Sequence, residues 1–379
     1  MSQSVSGLRP LDPAHDALLR AALLPPEEAA RAWERWKANF GGFDSLDTAG
    51  FRLLPMVYRN LSGHGLSPED LGTLRGLYRQ TWSRNRLAFR AAGDALEVLR
   101  ASGIPALVLK GAALAHIAYD EQALRPMNDI DLLVHGRQLR QAAAALEPLG
   151  WTPAAPLRSP WQAARIFHAI LLRHTSGLEL DLHRHILEEA CWKGADDVLW
   201  DDPIEFALDG RPARTIRPEA HLVHVIAHGV RWDPVPPVRW IADATILLRQ
   251  FESSWDWEFT IALARRLGVT SAVAGGLGYL RENFAESVPP AVTDELAASP
   301  TAFLERLDFR AQQSGGAVHW QTVRYITRYL RLTSRRRLGR RLGDFQPYLQ
   351  VMWELESPWS VPGDAMRRAW LRMRGVNPQ

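Results

Sequence analysis

Asp129 and Asp131 stand one residue apart in the run Asp129-Ile130-Asp131-Leu132-Leu133-Val134. Side chains alternate across a β-strand with a rise of about 3.3 Å per residue, so both carboxylates of an Asp-x-Asp point to the same face. Two acids held that close repel each other unless a cation lies between them. The pair therefore reads as ligands for a hard divalent ion. Carboxylate oxygens suit Mg²⁺, or Mn²⁺ in its place, with waters and substrate phosphates completing the shell. Upstream, the apolar run from Ile104 to Leu109 ends in Lys110-Gly111, where a glycine follows a strand and opens a helix. Free N–H groups at a helix start bind phosphate, most readily where no side chain blocks the approach. Lys110 and Arg125 add positive charge nearby, so the constellation is that of a divalent-metal and polyphosphate site.

A third acid is sought on a later alternating strand, and Gly177-Leu178-Glu179-Leu180-Asp181-Leu182-His183 supplies it. Leu178, Leu180 and Leu182 share one face, while Glu179, Asp181 and His183 share the other. The pattern Leu109-Lys110-Gly111, then a tyrosine, then an arginine, then Asp129 to Val134 resembles the uncharacterised nucleotidyltransferase family of the DNA polymerase beta superfamily. It is also similar to the signature of AbiEii-type toxin nucleotidyltransferases. The resemblance covers the core strongly and roughly Leu53 to Leu267 more weakly, and it places the third acid at Asp181. One departure stands out: the superfamily usually has Gly-Ser at the helix start, whereas Gly111 is followed by Ala112 and Ala113.

By that resemblance Asp129, Asp131 and Asp181 are the catalytic and metal-binding acids. Lys110, Gly111 and Arg125 bind the nucleotide phosphates. Asp181 either completes a second metal site or takes the proton of the acceptor hydroxyl. The implied reaction moves a nucleoside monophosphate from an NTP to an acceptor and releases pyrophosphate. The acceptor stays open among a small molecule, an RNA and a protein hydroxyl. The alternative from another class is a nucleotide-binding or interaction module that keeps the fold without the chemistry.

Other side chains carry weaker signals. His221, His224 and His228 fall on one helical face at a spacing that can serve zinc, but the plainer reading is a face packed on the core with its rings hydrogen-bonded. His183 and His228 are site neighbours, with base orientation or phosphate contact as their candidate roles. Arg231, Trp232, Arg239, Trp240 and Asp243 read equally as acceptor contacts or as helix core with Asp243 pairing an arginine. Arg324, Arg328, Arg331, Arg335, Arg336, Arg337, Arg340 and Arg341, interleaved with Tyr325, Tyr329 and Phe345, form a basic run. Such a face can bind an RNA backbone, and its plainer reading is a solvated face or one pairing acids elsewhere.

The elements that position these residues follow from periodicity and from helix caps. Pro26 with Glu27 and Glu28, and Ser67-Pro68-Glu69-Asp70, are helix-start signals. The second opens a long helix to about Ala101, which Gly103 ends. Residues 1–102 thus read as a helical prefix and 103–217 as a small α/β core with helices on one face. Within that core, Arg137 to Leu149 and Ser159 to Phe167 read as helices, and His168 to Leu182 as a hairpin about Thr175-Ser176-Gly177. Ala190 to Ile216 reads as a polar connector with short strands, and 218–379 as a helical domain. The fold class is accordingly α/β plus all-α, a minimal polymerase-beta-like core between helical regions.

Composition bounds the function. The 379 residues suffice for two or three packed units, and 46% apolar content is that of a globular chain. The single cysteine, Cys191, rules out an internal disulfide framework, and with no signal-like start or long apolar run the expectation is a cytoplasmic protein that does not enter a membrane. A net charge of +3 does not by itself call for nucleic acid. The 15 tryptophans read as packing.

Overall fold

Strand β2 (Asp129–Val134) lies at the centre of a seven-stranded mixed sheet whose other members are β1 (Ala106–Leu109), β3 (Trp151–Pro153), β4 (Ala169–His174), β5 (Glu179–His183), β6 (Ile204–Leu208) and β7 (Arg211–Thr215). Their spatial order is β3-β4-β5-β2-β1-β7-β6. The structure is a computed structural model that describes residues 7–154, 166–231, 237–314, 318–334, 338–353 and 355–373. The expected helix from Ser159 lies outside the described residues up to residue 165, and so do Trp232, the turn from Asp233 to Pro236, and Arg335 to Arg337.

β1 runs antiparallel to β2 across the helix Lys110–Ile117, and β2 runs parallel to β5 with Asp131 opposite Asp181. β4 and β5 form the expected hairpin, with Gly177 at φ 86 in its turn. The connector between β5 and the helical domain contributes more than isolated short strands. β6 and β7 are joined by Asp209-Gly210, both at positive φ (50 and 77), the Asp-Gly choice that a two-residue hairpin favours. β7 then adds to the sheet beside β1 through Val108 and Thr215.

The sheet is covered on both faces, which corrects the one-faced arrangement expected from sequence. Ile130, Leu132 and Val134 pack with Phe89, Leu96 and Leu99 of the helix Pro68–Ala101 and with Ala142 and Leu146. The opposite face, which carries the aspartates, packs Leu107, Leu109 and Leu133 in one cluster with Leu222, Ile226 and Ile241. The physical reason is legible in β2 itself: Leu132-Leu133-Val134 is apolar without alternation, the pattern of a strand buried on both sides.

The same cluster takes in Trp33, Trp36, Leu53 and Leu54 of the N-terminal helices. Trp33 and Trp36 stack at 4.9 Å and are packing residues, as expected, whereas Trp82 and Trp359 are exposed. Ser67 caps the long helix by accepting from Asp70 N–H, and Gly103 at φ 67 follows its end. The helices Pro218–Gly229 and Arg239–Gln250 cross closely, because a Cβ at Gly229 would lie 2.2 Å from Trp240 Cβ. No helix among the described residues is long and apolar enough to cross a membrane.

Candidate active site

The parallel register of β2 and β5 brings Asp131 and Asp181 side by side on the face turned toward the helical domain. Ligand atoms of Asp131, Asp181 and His183 all lie within 4.8 Å of one another. Asp129 lines the same cleft one strand period away but falls outside this compact set. Burial alone would raise the Asp131 carboxyl, yet the Lys110 ammonium and the His183 hydrogen bond outweigh it and hold the group well below the usual carboxylate range. Lys110 Nζ and His183 Nε2 both donate to Asp131 Oδ1, each at 2.9 Å. Asp181 has the opposite balance. Burial and then the neighbouring Asp131 charge push its carboxyl up to about 6. Two close carboxylates, one fixed as an anion and the other destabilised as one, are a donor set that a hard divalent cation fits.

Lys110 sits at the junction of β1 and the following helix with φ 38, a conformation that costs an L-residue of order 1 kcal/mol. Its ammonium reaches back to Asp131 from there. Gly111, the next residue, has no room for a side chain: a Cβ would lie 2.7 Å from Arg125 Nη1 and 2.8 Å from Met127 Sδ. Arg125 itself is not the free cation expected from sequence. Its Nε and Nη2 each donate at 2.8 Å to Asp243, which also accepts from Tyr119 Oη at 2.6 Å. Only Nη1 remains over Gly111, at the wall of the cleft.

The histidines divide. His183 is fully buried beside Asp131, to which it donates, and its Nδ1 faces the His185 carbonyl. His228 lines the cleft. The residue is exposed, and the Lys110 ammonium, with burial second, lowers it well below the ordinary histidine range. His221 Nε2 bonds Thr215 Oγ1 at 2.7 Å, as a packed face predicts. His224 departs from that expectation, because neither of its buried ring nitrogens has a hydrogen-bond partner among the described residues. The trio forms no metal cluster among the described residues.

Residues 50–285 match the family described as uncharacterised nucleotidyltransferase, well over half of the chain. The chain belongs to that family. No curated protein matches it at a significant level. Two solved structures do. One is the antibiotic-resistance factor ANT(2'')-Ia, at 20% identity and TM-score 0.31, spanning 47% of this chain and 89% of that one. The other is an antigenic nucleotidyltransferase-like protein from Paracoccidioides brasiliensis, at 15% identity and TM-score 0.33, spanning 55% and 92%. At those TM-scores neither likeness adds to the family assignment.

The cleft of this nucleotidyltransferase, about 420 Å³, lies between the aspartate face of the sheet and the helices Pro218–Gly229 and Arg239–Gln250. Arg239 borders it and donates to the Pro126 carbonyl; burial and then the adjacent Arg125 lower it to about 10. Trp240 is 8% exposed and packs as core, and Asp243 pairs an arginine. Arg52, from the N-terminal helices, also lines the cleft. Nothing in Phe51-Arg52-Leu53 marks it in the sequence, so sequence reasoning misses it.

Two described arginines of the basic C-terminal run, Arg328 and Arg331, pair with internal acids. Arg328 pairs with Glu188 at 2.7 Å and Arg331 with Asp308 at 3.2 Å, while Arg231 pairs with Glu189. These arginines hold Glu188 down to about 2 against its burial, Arg328 most strongly. Arg328 and Arg331 are thus engaged by internal acids and do not support the RNA reading. The side chains of Arg340 and Arg341 lie outside the described residues.

Proposed function

We propose that this nucleotidyltransferase transfers a nucleoside monophosphate from an NTP to a hydroxyl of a small-molecule acceptor, with release of pyrophosphate. The observation that carries the reading is the pairing of Asp131 with Asp181 at the wall of a cleft that also holds Lys110, Arg52 and Arg239. Asp131 and Asp181, with Asp129 beside them, would hold Mg²⁺, which supplies charge neutralisation for the phosphates when bound. Asp181 would either complete the metal site or, left free of metal, receive the acceptor proton as general base. The acceptor oxygen forms its bond to the α-phosphorus as the bond to the β-bridging oxygen breaks, and the electron pair leaves with pyrophosphate. Lys110, Arg125 Nη1 and the N–H groups that open the helix at Gly111 would stabilise that leaving charge. They stand in for the hydroxyl that Ala112 lacks.

A cleft of about 420 Å³ falls within the size of small-ligand pockets, roughly 300–1,000 Å³. That favours a small acceptor over a protein surface, and Arg328 and Arg331, paired internally, do not support RNA. The test is transfer of label from each α-³²P NTP, with Mg²⁺, to a panel of hydroxyl-bearing small molecules. Labelled adduct with equimolar pyrophosphate supports the proposal. Tight NTP binding with neither product would make the protein a non-catalytic nucleotide-binding module.

A further inference from the structure

The cations bordering the catalytic cleft are not equivalent. Lys110 is bonded to Asp131, Arg125 to Asp243 through two of its three nitrogens, and Arg239 to the Pro126 carbonyl. Arg52 differs: its guanidinium has no hydrogen-bond or ion-pair partner among the described residues, although it lines the cleft. An arginine whose fork is left open in a concave site is poised for an anion with several oxygens, because the planar guanidinium matches phosphate in a two-pronged way.

The backbone that carries Arg52 is fixed. Asp47 accepts from Gly50 N–H at 2.8 Å to cap the helix Thr48–Phe51, and His15 Nε2 lies 3.0 Å from both Asp47 oxygens. A Cβ at Gly50 would meet Leu18 Cδ1 at 2.9 Å, so the turn is pressed against the first helix. Leu53 and Leu54, immediately after Arg52, are fully buried. The turn that carries Arg52 is therefore held by packing and capping on both sides. Its charge also reaches Arg239, which it helps to lower. Asp243 and Asp129 act on Arg239 in the opposite sense.

We propose that Arg52 is the anchor of the β- and γ-phosphates of the nucleotide, so that the N-terminal helices complete the active site. This inference rests on the nucleotidyl-transfer reading for its ligand. The probe that separates the two is inorganic tripolyphosphate with Mg²⁺, titrated calorimetrically against the full chain, Arg52→Ala and Arg52→Lys, beside the α-label transfer assay. Arg52→Ala should weaken tripolyphosphate binding by about tenfold or more, with Arg52→Lys between the two and all three melting alike, since no partner among the described residues is lost. Equal affinity in wild type and Arg52→Ala overturns the anchor while leaving the transfer reading intact. A lowered melting temperature without rescue by lysine also overturns it, by showing a structural role. Loss of binding in Arg52→Ala with no label transferred from any NTP supports the anchor and contradicts the transfer. No binding of tripolyphosphate or NTP by wild type overturns both.

Discussion

Arg125 and Asp243, 118 residues apart in sequence, meet in a buried two-pronged ion pair with both N–O distances at 2.8 Å. The pair fastens the segment before β2 to the helix Arg239–Gln250, and so sets the gap between the two walls of the cleft. Tyr119 and Asn85 complete it, the first donating to Asp243 and the second to the Arg125 carbonyl at 2.9 Å.

Removing one partner of such a pair leaves a buried charge without compensation. Asp243→Ala should cost about 3–5 kcal/mol, read by chemical denaturation. The double variant Arg125→Met, Asp243→Leu should recover much of that loss, because no lone charge remains. An additive double variant would show that the two groups do not act as a unit.

Gly111→Ala sets two effects against each other. Alanine in a helix gains about 0.5–1 kcal/mol over glycine, but the new methyl meets Arg125 Nη1 at 2.7 Å and Met127 at 2.8 Å. Met127 can shift, whereas Arg125 is pinned by Asp243, and overpacking of this kind costs about 1–3 kcal/mol. The net effect, read by chemical denaturation, should be a loss of stability of about 1–2 kcal/mol, with weaker NTP binding. A Gly111→Ala protein as stable as wild type would show that Arg125 moves freely.

Much of this was legible in the sequence. Asp129-Ile130-Asp131 and Asp181 announce themselves through strand alternation, and Gly103 and Ser67 mark helix ends by local chemistry. The rest depends on long-range packing. Nothing local says that β7 joins β1, that His183 donates to Asp131, or that Arg328 seeks Glu188. Arg52 has no motif around it at all, since its role depends on a cleft whose other walls come from Lys110 onward in the chain.

Acid should weaken the fold before it affects most carboxylates. Burial lowers His221 to about 3 and holds His168 and His224 well below the ordinary range. Their folded values lie under the unfolded value near 6.5, so the unfolded chain binds more protons below that pH and stability falls as pH drops from about 7 toward 4. His221 alone should account for about 2 kcal/mol between pH 6.5 and 5. His224→Leu should flatten the melting-temperature profile across this window, because the ring it removes has no hydrogen-bond partner among the described residues. A profile as steep as wild type would place the acid sensitivity elsewhere.

The most direct measurement is pyrophosphate release from the four NTPs with Mg²⁺ and the panel of hydroxyl-bearing acceptors in wild type, Asp131→Asn and Asp181→Asn, each checked for an unchanged circular dichroism spectrum. Wild type should release pyrophosphate from at least one NTP, and both variants should fall by at least about 100-fold. Undiminished release by the folded Asp181→Asn protein would contradict the assignment of chemistry to the paired aspartates.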